Sequence, residues 1–294
     1  MNDFTHIIND IEQATGDTIV QQSITSISGG GINAAYKLEF HNKSYFIKLN
    51  QASLLSMFEA EAEGLTEFKQ LDCVRVPNVI CYGVSDKHCY LVLEYIPLSG
   101  LNRHSGKALG TQLAQLHQQP KSYFGWHRDN TIGSTPQYNS REYDWPTFWQ
   151  QKRLKPQLDL AIKNGFGRQL ADNGQQLIQS SKQFFDSYTP EPALLHGDLW
   201  GGNAASDSHG NPVLFDPATY YGDRETDIAM TELFGGFGSD FYDAYQAAYP
   251  LDQGYQTRKT LYNLYHIINH VNLFGGGYAS QAGNMIDQLL AEIK

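Results

Sequence analysis

The chain has little cysteine, no excess of positive charge and no long apolar run. Cys73, Cys81 and Cys89 are its only cysteines in 294 residues. An odd count within a segment patterned as strands excludes a disulfide framework, and three are too few for a four-cysteine zinc site. Reduced thiols in a cytoplasm are expected. Lys and Arg number 21 against 31 Asp and Glu, a formal net charge of −10. No global field therefore draws nucleic acid or an anionic membrane. No stretch approaches the roughly 18 consecutive apolar residues of a membrane span. The opening MNDFTHIIND carries no basic region ahead of an apolar run, so no secretory leader is expected. Repeats and low-complexity tracts are also missing. What is present is ordinary globular usage, 41% apolar and 18% charged, at a length that buries a full core in one large or two modest domains.

Along the chain the periodicity changes once. Residues 23–28 alternate, as do Tyr36, Leu38 and Phe40, and then Tyr45, Ile47 and Leu49, with residues 41–44 as a turn. Residues 53–70 turn helical, and apolar runs follow at 74–84 and 89–96. Beyond Pro97, Ser105 can cap a helix in which Leu109, Leu113 and Leu116 recur on one face, ended by Pro120. Residues 121–144 read as a long loop, a candidate lid. Helical patterns resume at 146–163, 167–187, 225–234, 239–249 and 256–272. The expectation is a small α+β lobe, residues 1–97, on a larger mainly helical lobe, residues 98–294.

The chemistry concentrates in two strings. In Leu194-Leu195-His196-Gly197-Asp198-Leu199-Trp200-Gly201-Gly202-Asn203 an Asp precedes an Asn by five residues and follows a His by two. That is the spacing of a kinase catalytic loop, in which a carboxylate receives the proton of an attacking hydroxyl and an amide oxygen holds Mg²⁺. In Val213-Leu214-Phe215-Asp216-Pro217 an apolar strand delivers a second acid 18 residues after Asp198, room for one hairpin back to the same cleft. Asp216 with Asn203 would suffice for Mg²⁺, which keeps few protein ligands beside phosphate oxygens.

Upstream, Gly29, Gly30 and Gly31 join two strand-like segments and could close main-chain N–H groups over phosphates. No helix follows them, which excludes a dinucleotide fold, and no Walker loop occurs. Lys48 sits in Tyr45-Phe46-Ile47-Lys48-Leu49 on the face of Phe46, opposite Tyr45, Ile47 and Leu49. Its partner should come from the 53–70 helix. Leu65 and Phe68 follow Glu61 by four and seven residues, so Glu61 is the inward acid, with Glu59 and Glu63 left to solvent. Glu94, Tyr95 and Ile96 end the last apolar run at the hinge, where main-chain groups would meet adenine. His266 and His270 are spaced as in half a zinc-protease motif, but Ile267 stands where Glu is required. They pack a helix or line a substrate pocket.

Together these residues resemble the protein-kinase-like superfamily on its aminoglycoside/choline phosphotransferase side. More closely, LLHGDLWGGN, FDPATYYGDRETDIAM, DNTIGSTPQYN, WPTFWQQKRLKPQL and YNLYHIINHVNLFGGGY resemble the fructosamine kinase family over essentially the whole chain. The resemblance implies a bilobal fold with a small antiparallel sheet-and-helix lobe. It implies ATP-dependent, Mg²⁺-assisted phosphorylation of the 3-hydroxyl of a ketosamine, free or protein-bound, in deglycation repair. Asp198 would be the catalytic base, Asn203 and Asp216 the Mg²⁺ ligands, and Lys48 with Glu61 the ATP-orienting pair. Trp200 and His270 would face the acceptor, and Asp227 would brace the catalytic loop. Two alternatives stay open: transfer to an aminoglycoside, choline or another sugar, and a nucleotide-binding scaffold without turnover.

Overall fold

The computed structural model describes residues 4–20, 22–28 and 32–293. Helix α1 (Thr5–Thr15) precedes strands β1 (Ser23–Ile27), β2 (Ala34–Phe40) and β3 (Lys43–Gln51), helix α2 (Leu55–Leu71), and strands β4 (Val79–Ser85) and β5 (His88–Glu94). The five strands form one antiparallel sheet in the order β1-β2-β3-β5-β4. Strand alternation sorts its two faces. Leu38, Phe40, Tyr45, Ile47 and Val92 meet Ile7 and Ile11 of α1 on one side. Leu91 and Leu93 meet Phe58, Leu65 and Phe68 of α2 on the other, in a core continuous with the helical body. Helix α1 was not expected. Its Ile7 and Ile11 lie one turn apart, too brief a signal against the strand patterns that follow.

Helix α3 (Arg103–His117) buries Leu109, Leu113 and Leu116, each worth about 1.5–3 kcal/mol when removed from water. Its cap is Asn102 rather than Ser105. The Asn102 side chain accepts from the His104 and Ser105 N–H groups, while the Ser105 hydroxyl accepts the Asn102 N–H, a capping box. Residues 121–144 are more than the long loop expected. They form a strap carrying the short hairpin β6 (Asn130–Ile132) and β7 (Thr135–Gln137), with Trp126, Ile132, Gln137 and Asn139 buried.

Next come α4 (Trp145–Phe148), α5 (Lys155–Ala161) and α6 (Gly167–Ser180), joined by wider helical turns. Strands β8 (Ala193–Leu195), β9 (Ala204–Ser206), β10 (Pro212–Leu214) and β11 (Tyr220–Gly222) make two small antiparallel pairs, β9 with β10 and β8 with β11. Helices α7 (Glu225–Leu233), α8 (Ser239–Ala248), α9 (Tyr255–Phe274) and α10 (Tyr278–Glu292) complete the body. Helix α10 was also unexpected, although Ala282, Ile286 and Leu289 give it an apolar stripe. The charged string Asp223-Arg224-Glu225 is buried because each side chain has a partner. Tyr262 donates to Asp223, Arg224 donates to the Tyr249 carbonyl at 2.9 Å, and Arg258 pairs with Glu225 at 2.7 Å.

Candidate active site

A cleft of about 630 Å³ lies between the sheet and the helical body. Lys48, Glu61, Glu94, Tyr95, Ile96, Asp198, Trp200, Asn203 and Asp216 all line it. Gly29, Gly30 and Gly31 lie outside the described residues. His270 does not line the cavity. Its ring packs 4.9 Å from Phe234, whose ring meets Trp200 edge-on at 6.2 Å.

Strand alternation aims Lys48 away from α1 and toward α2. Its ammonium donates to Glu61 at 2.6 Å and also pairs with Asp216. Burial opposes the charge on Lys48, but Asp216 and then Glu61 outweigh it and hold the ammonium above its ordinary pKa. Burial pushes the Glu61 carboxyl up, with Lys48 opposing. Glu59 and Glu63, expected in solvent, are instead paired with Arg128 at 3.0 and 2.7 Å.

The loop from His196 to Asn203 is held from beneath. Asp227 in the first turn of α7 accepts the N–H groups of His196 and Gly197, and His117 closes on the same carboxylate at 3.3 Å. His196 is buried, and burial lowers its pKa, so the ring is neutral. The Asp198 N–H donates to its Nδ1 at 3.3 Å, so Nε2 carries the proton and donates to the Phe215 carbonyl at 2.9 Å. One imidazole thereby spaces the Asp198 loop from the strand end that carries Asp216. Gly197 has φ 79°, and a Cβ there would sit 2.1 Å from the Ala218 carbonyl oxygen. Only glycine fits between the two strings. Neither this contact nor the His196 bridge is readable from spacing. The His-Gly-Asp wording was their trace.

Asp198 is partly buried where it lines the cleft. Burial first, and the Asp216 carboxylate second, push its carboxyl up to about 7. The Asn203 amide nitrogen donates to the Asp198 carbonyl at 2.8 Å and to its Oδ2 at 3.1 Å, which leaves the amide oxygen as the end free to coordinate. Asp216 holds φ 57°, a left-handed conformation that Asp tolerates better than most residues. Its side chain is half exposed, one oxygen toward Lys48. An amide oxygen and a carboxylate are hard donors and suit Mg²⁺ with phosphate oxygens completing the shell. Among the described residues no cluster of three or more His, Cys, Asp or Glu could hold a metal without such help.

Toward the hinge, the Glu94 carboxylate is taken by Arg75 at 2.8 Å and by the Asn78 amide at 2.8 Å. The carboxylate is thereby turned to these partners rather than left free for a bound base. At the other end the Trp200 indole lies over Gly202, where a Cβ would come within 2.4 Å of its ring, and it stays 38% exposed.

A model of the fructosamine kinase family matches residues 3–292. A "probable ketoamine kinase" of Synechocystis sp. is 48% identical over 97% of this chain and 96% of its own. The chloroplastic protein-ribulosamine 3-kinase of Arabidopsis thaliana is 42% identical over 92% of this chain and 83% of its own. A solved structure from Haemophilus somnus 129PT, designated a "putative fructosamine-3-kinase", superposes with a TM-score of 0.90 at 29% identity, covering 97% of this chain and 96% of that one. The fold is bilobal and protein-kinase-like, the architecture of a phosphotransferase. The chain belongs to the fructosamine kinase family.

Proposed function

We propose that this kinase transfers the γ-phosphoryl group of ATP to the 3-hydroxyl of a ketosamine, such as a ribulose- or fructose-modified lysine. ADP and the 3-phosphate are the products; elimination then expels inorganic phosphate, and hydrolysis of the carbon–nitrogen bond releases the free amine and a 3-deoxy dicarbonyl sugar, a deglycation repair. The names of the relatives supply the acceptor class. The observation that carries the chemistry is the convergence of Lys48, Glu61, Asp198, Asn203 and Asp216 on one cleft.

In this reading residues 1–97 are the ATP-binding lobe and 98–294 the catalytic lobe. The main chain of Glu94, Tyr95 and Ile96 receives the adenine. Lys48, fixed by Glu61, steers the α- and β-phosphates. Asn203 and Asp216 would hold Mg²⁺, which would supply neutralisation of phosphate charge. Asp198 accepts the hydroxyl proton as the oxygen attacks, and its loop is kept rigid by Asp227 and His196. Catalysis is positioning and charge neutralisation. Trp200 stacks on the sugar and His270 supports that wall through Phe234. The three unpaired cysteines suit a reducing cytoplasm.

The test offers purified protein, ATP and Mg²⁺ with ribulose-lysine or fructose-lysine, and in parallel with choline and an aminoglycoside. Phosphate on the ketosamine alone supports the reading. Phosphate on a control alone reassigns the acceptor.

A further inference from the structure

The helix that carries Glu61 is gripped from its far side. Glu59, Glu63 and Glu67 form a row one turn apart on α2, and Glu61 lies two residues from each neighbour, on the opposite face. An acidic row of this kind repels itself. Every member meets the strap. Arg128 donates to Glu63 at 2.7 Å, to Glu59 at 3.0 Å and to the Ser56 carbonyl at 3.3 Å. His127 meets Glu63 at 2.6 Å. The Trp126 indole N–H and the Tyr221 hydroxyl donate to the two oxygens of Glu67 at 2.7 and 2.6 Å.

The strap itself is rooted in the helical body. The buried Arg153 donates to the Asn139 side chain at 2.8 Å, and Asn139 donates to the Arg128 carbonyl at 3.1 Å. The same strap reaches the segment that follows Asp216. Asn130 donates to the Thr219 carbonyl at 2.8 Å and Gln137 to the Ala218 carbonyl at 3.1 Å. Helix α2 also rests directly on this segment. A Cβ on Gly64 would lie 2.4 Å from the Thr219 hydroxyl. One strap therefore bears on the helix that carries Glu61 and on the segment that follows Asp216.

We propose that Arg128 is a positioning residue for phosphoryl transfer: by clamping Glu59 and Glu63 to the helical body it fixes the roll of α2 and hence the Lys48–Glu61 pair. The helix is a rigid rod, so a rotation that freed Glu63 from Arg128 would carry Glu61 off Lys48. The inference rests on the kinase reading above, in which Lys48 and Glu61 orient ATP.

The experiment compares Arg128→Ala, and the nearly isosteric pair Glu59→Gln with Glu63→Gln in case the first folds poorly, in wild-type and Glu61→Gln backgrounds. In the wild-type background either change lowers kcat on the order of tenfold. In the Glu61→Gln background it adds less than about twofold, since the residue it acts through is already gone. Amide exchange across residues 58–65 quickens in both clamp variants. An unchanged kcat, an equal loss in both backgrounds, or unchanged exchange overturns the clamp. If wild type transfers no phosphate to any acceptor, the kinase reading fails, while the exchange readout still decides whether Arg128 holds the helix.

Discussion

The Asp227 carboxylate accepts the Gly197 N–H at 2.9 Å, within the same grip that takes the His196 N–H at 2.7 Å. A buried anion thus serves as the floor of the loop that presents Asp198. Burial opposes its charge, yet His117 and the loop N–H groups hold its pKa below the ordinary value. In Asp227→Asn, one amide oxygen replaces two carboxylate oxygens and an N–H donor is left facing a second donor. Such an unsatisfied buried group costs about 1–3 kcal/mol. Denaturant unfolding should show a loss of that size. Turnover should fall further than nucleotide affinity does, because in the proposed mechanism the loop carries the base.

Gly197→Ala should be worse than an ordinary glycine substitution. The backbone is left-handed there, and the added methyl meets the Ala218 carbonyl rather than a side chain that could swing aside. A strained φ alone costs about 1–3 kcal/mol. The clash also pushes the Asp198 loop from the Asp216 segment. A variant with full activity and wild-type melting would refute this account of the His-Gly-Asp wording.

Asp207 gives the fold an acid-sensitive tie. Burial opposes its charge, but bonds from the Asn211 main chain and side chain, from the His209 N–H and from Arg75 hold its pKa down to about 2. Because the folded value lies below the unfolded one, about 3.9, its stabilisation is complete above about pH 4. It is lost as pH falls toward 2. Wild type should therefore melt above Asp207→Asn at pH 6, with the gap closing as pH is lowered to 3. A gap independent of pH would contradict the assignment.

Most of the residues that converge on the cleft were legible because each sits in a short string. Asp198 and Asn203 share one turn, Asp216 ends an apolar strand, and Lys48 and Glu61 announce their faces by periods of two and three to four residues. What supports them was not legible. Arg128 reaches Glu63 across 65 residues and Asp227 reaches His196 across 31. Such pairings depend on tertiary docking, which no local period encodes. The strap misled for the same reason. Its polar composition reads as a solvated lid, yet Asn130, Gln137 and Asn139 spend their amides inside the protein. The glycine run is the one element of the expected site outside the described residues.

The central claim is that Asp198 receives the acceptor's proton in a cleft that binds ATP independently of it. The most direct measurement follows phosphate transfer from ATP to ribulose-lysine by wild type and Asp198→Ala, alongside Mg-ATP affinity by calorimetry. The account predicts wild-type transfer, a loss of about a thousandfold or more in the variant, within the range general-base and positioning effects together supply, and nucleotide affinity within a few-fold of wild type. Transfer that survives in Asp198→Ala would contradict it.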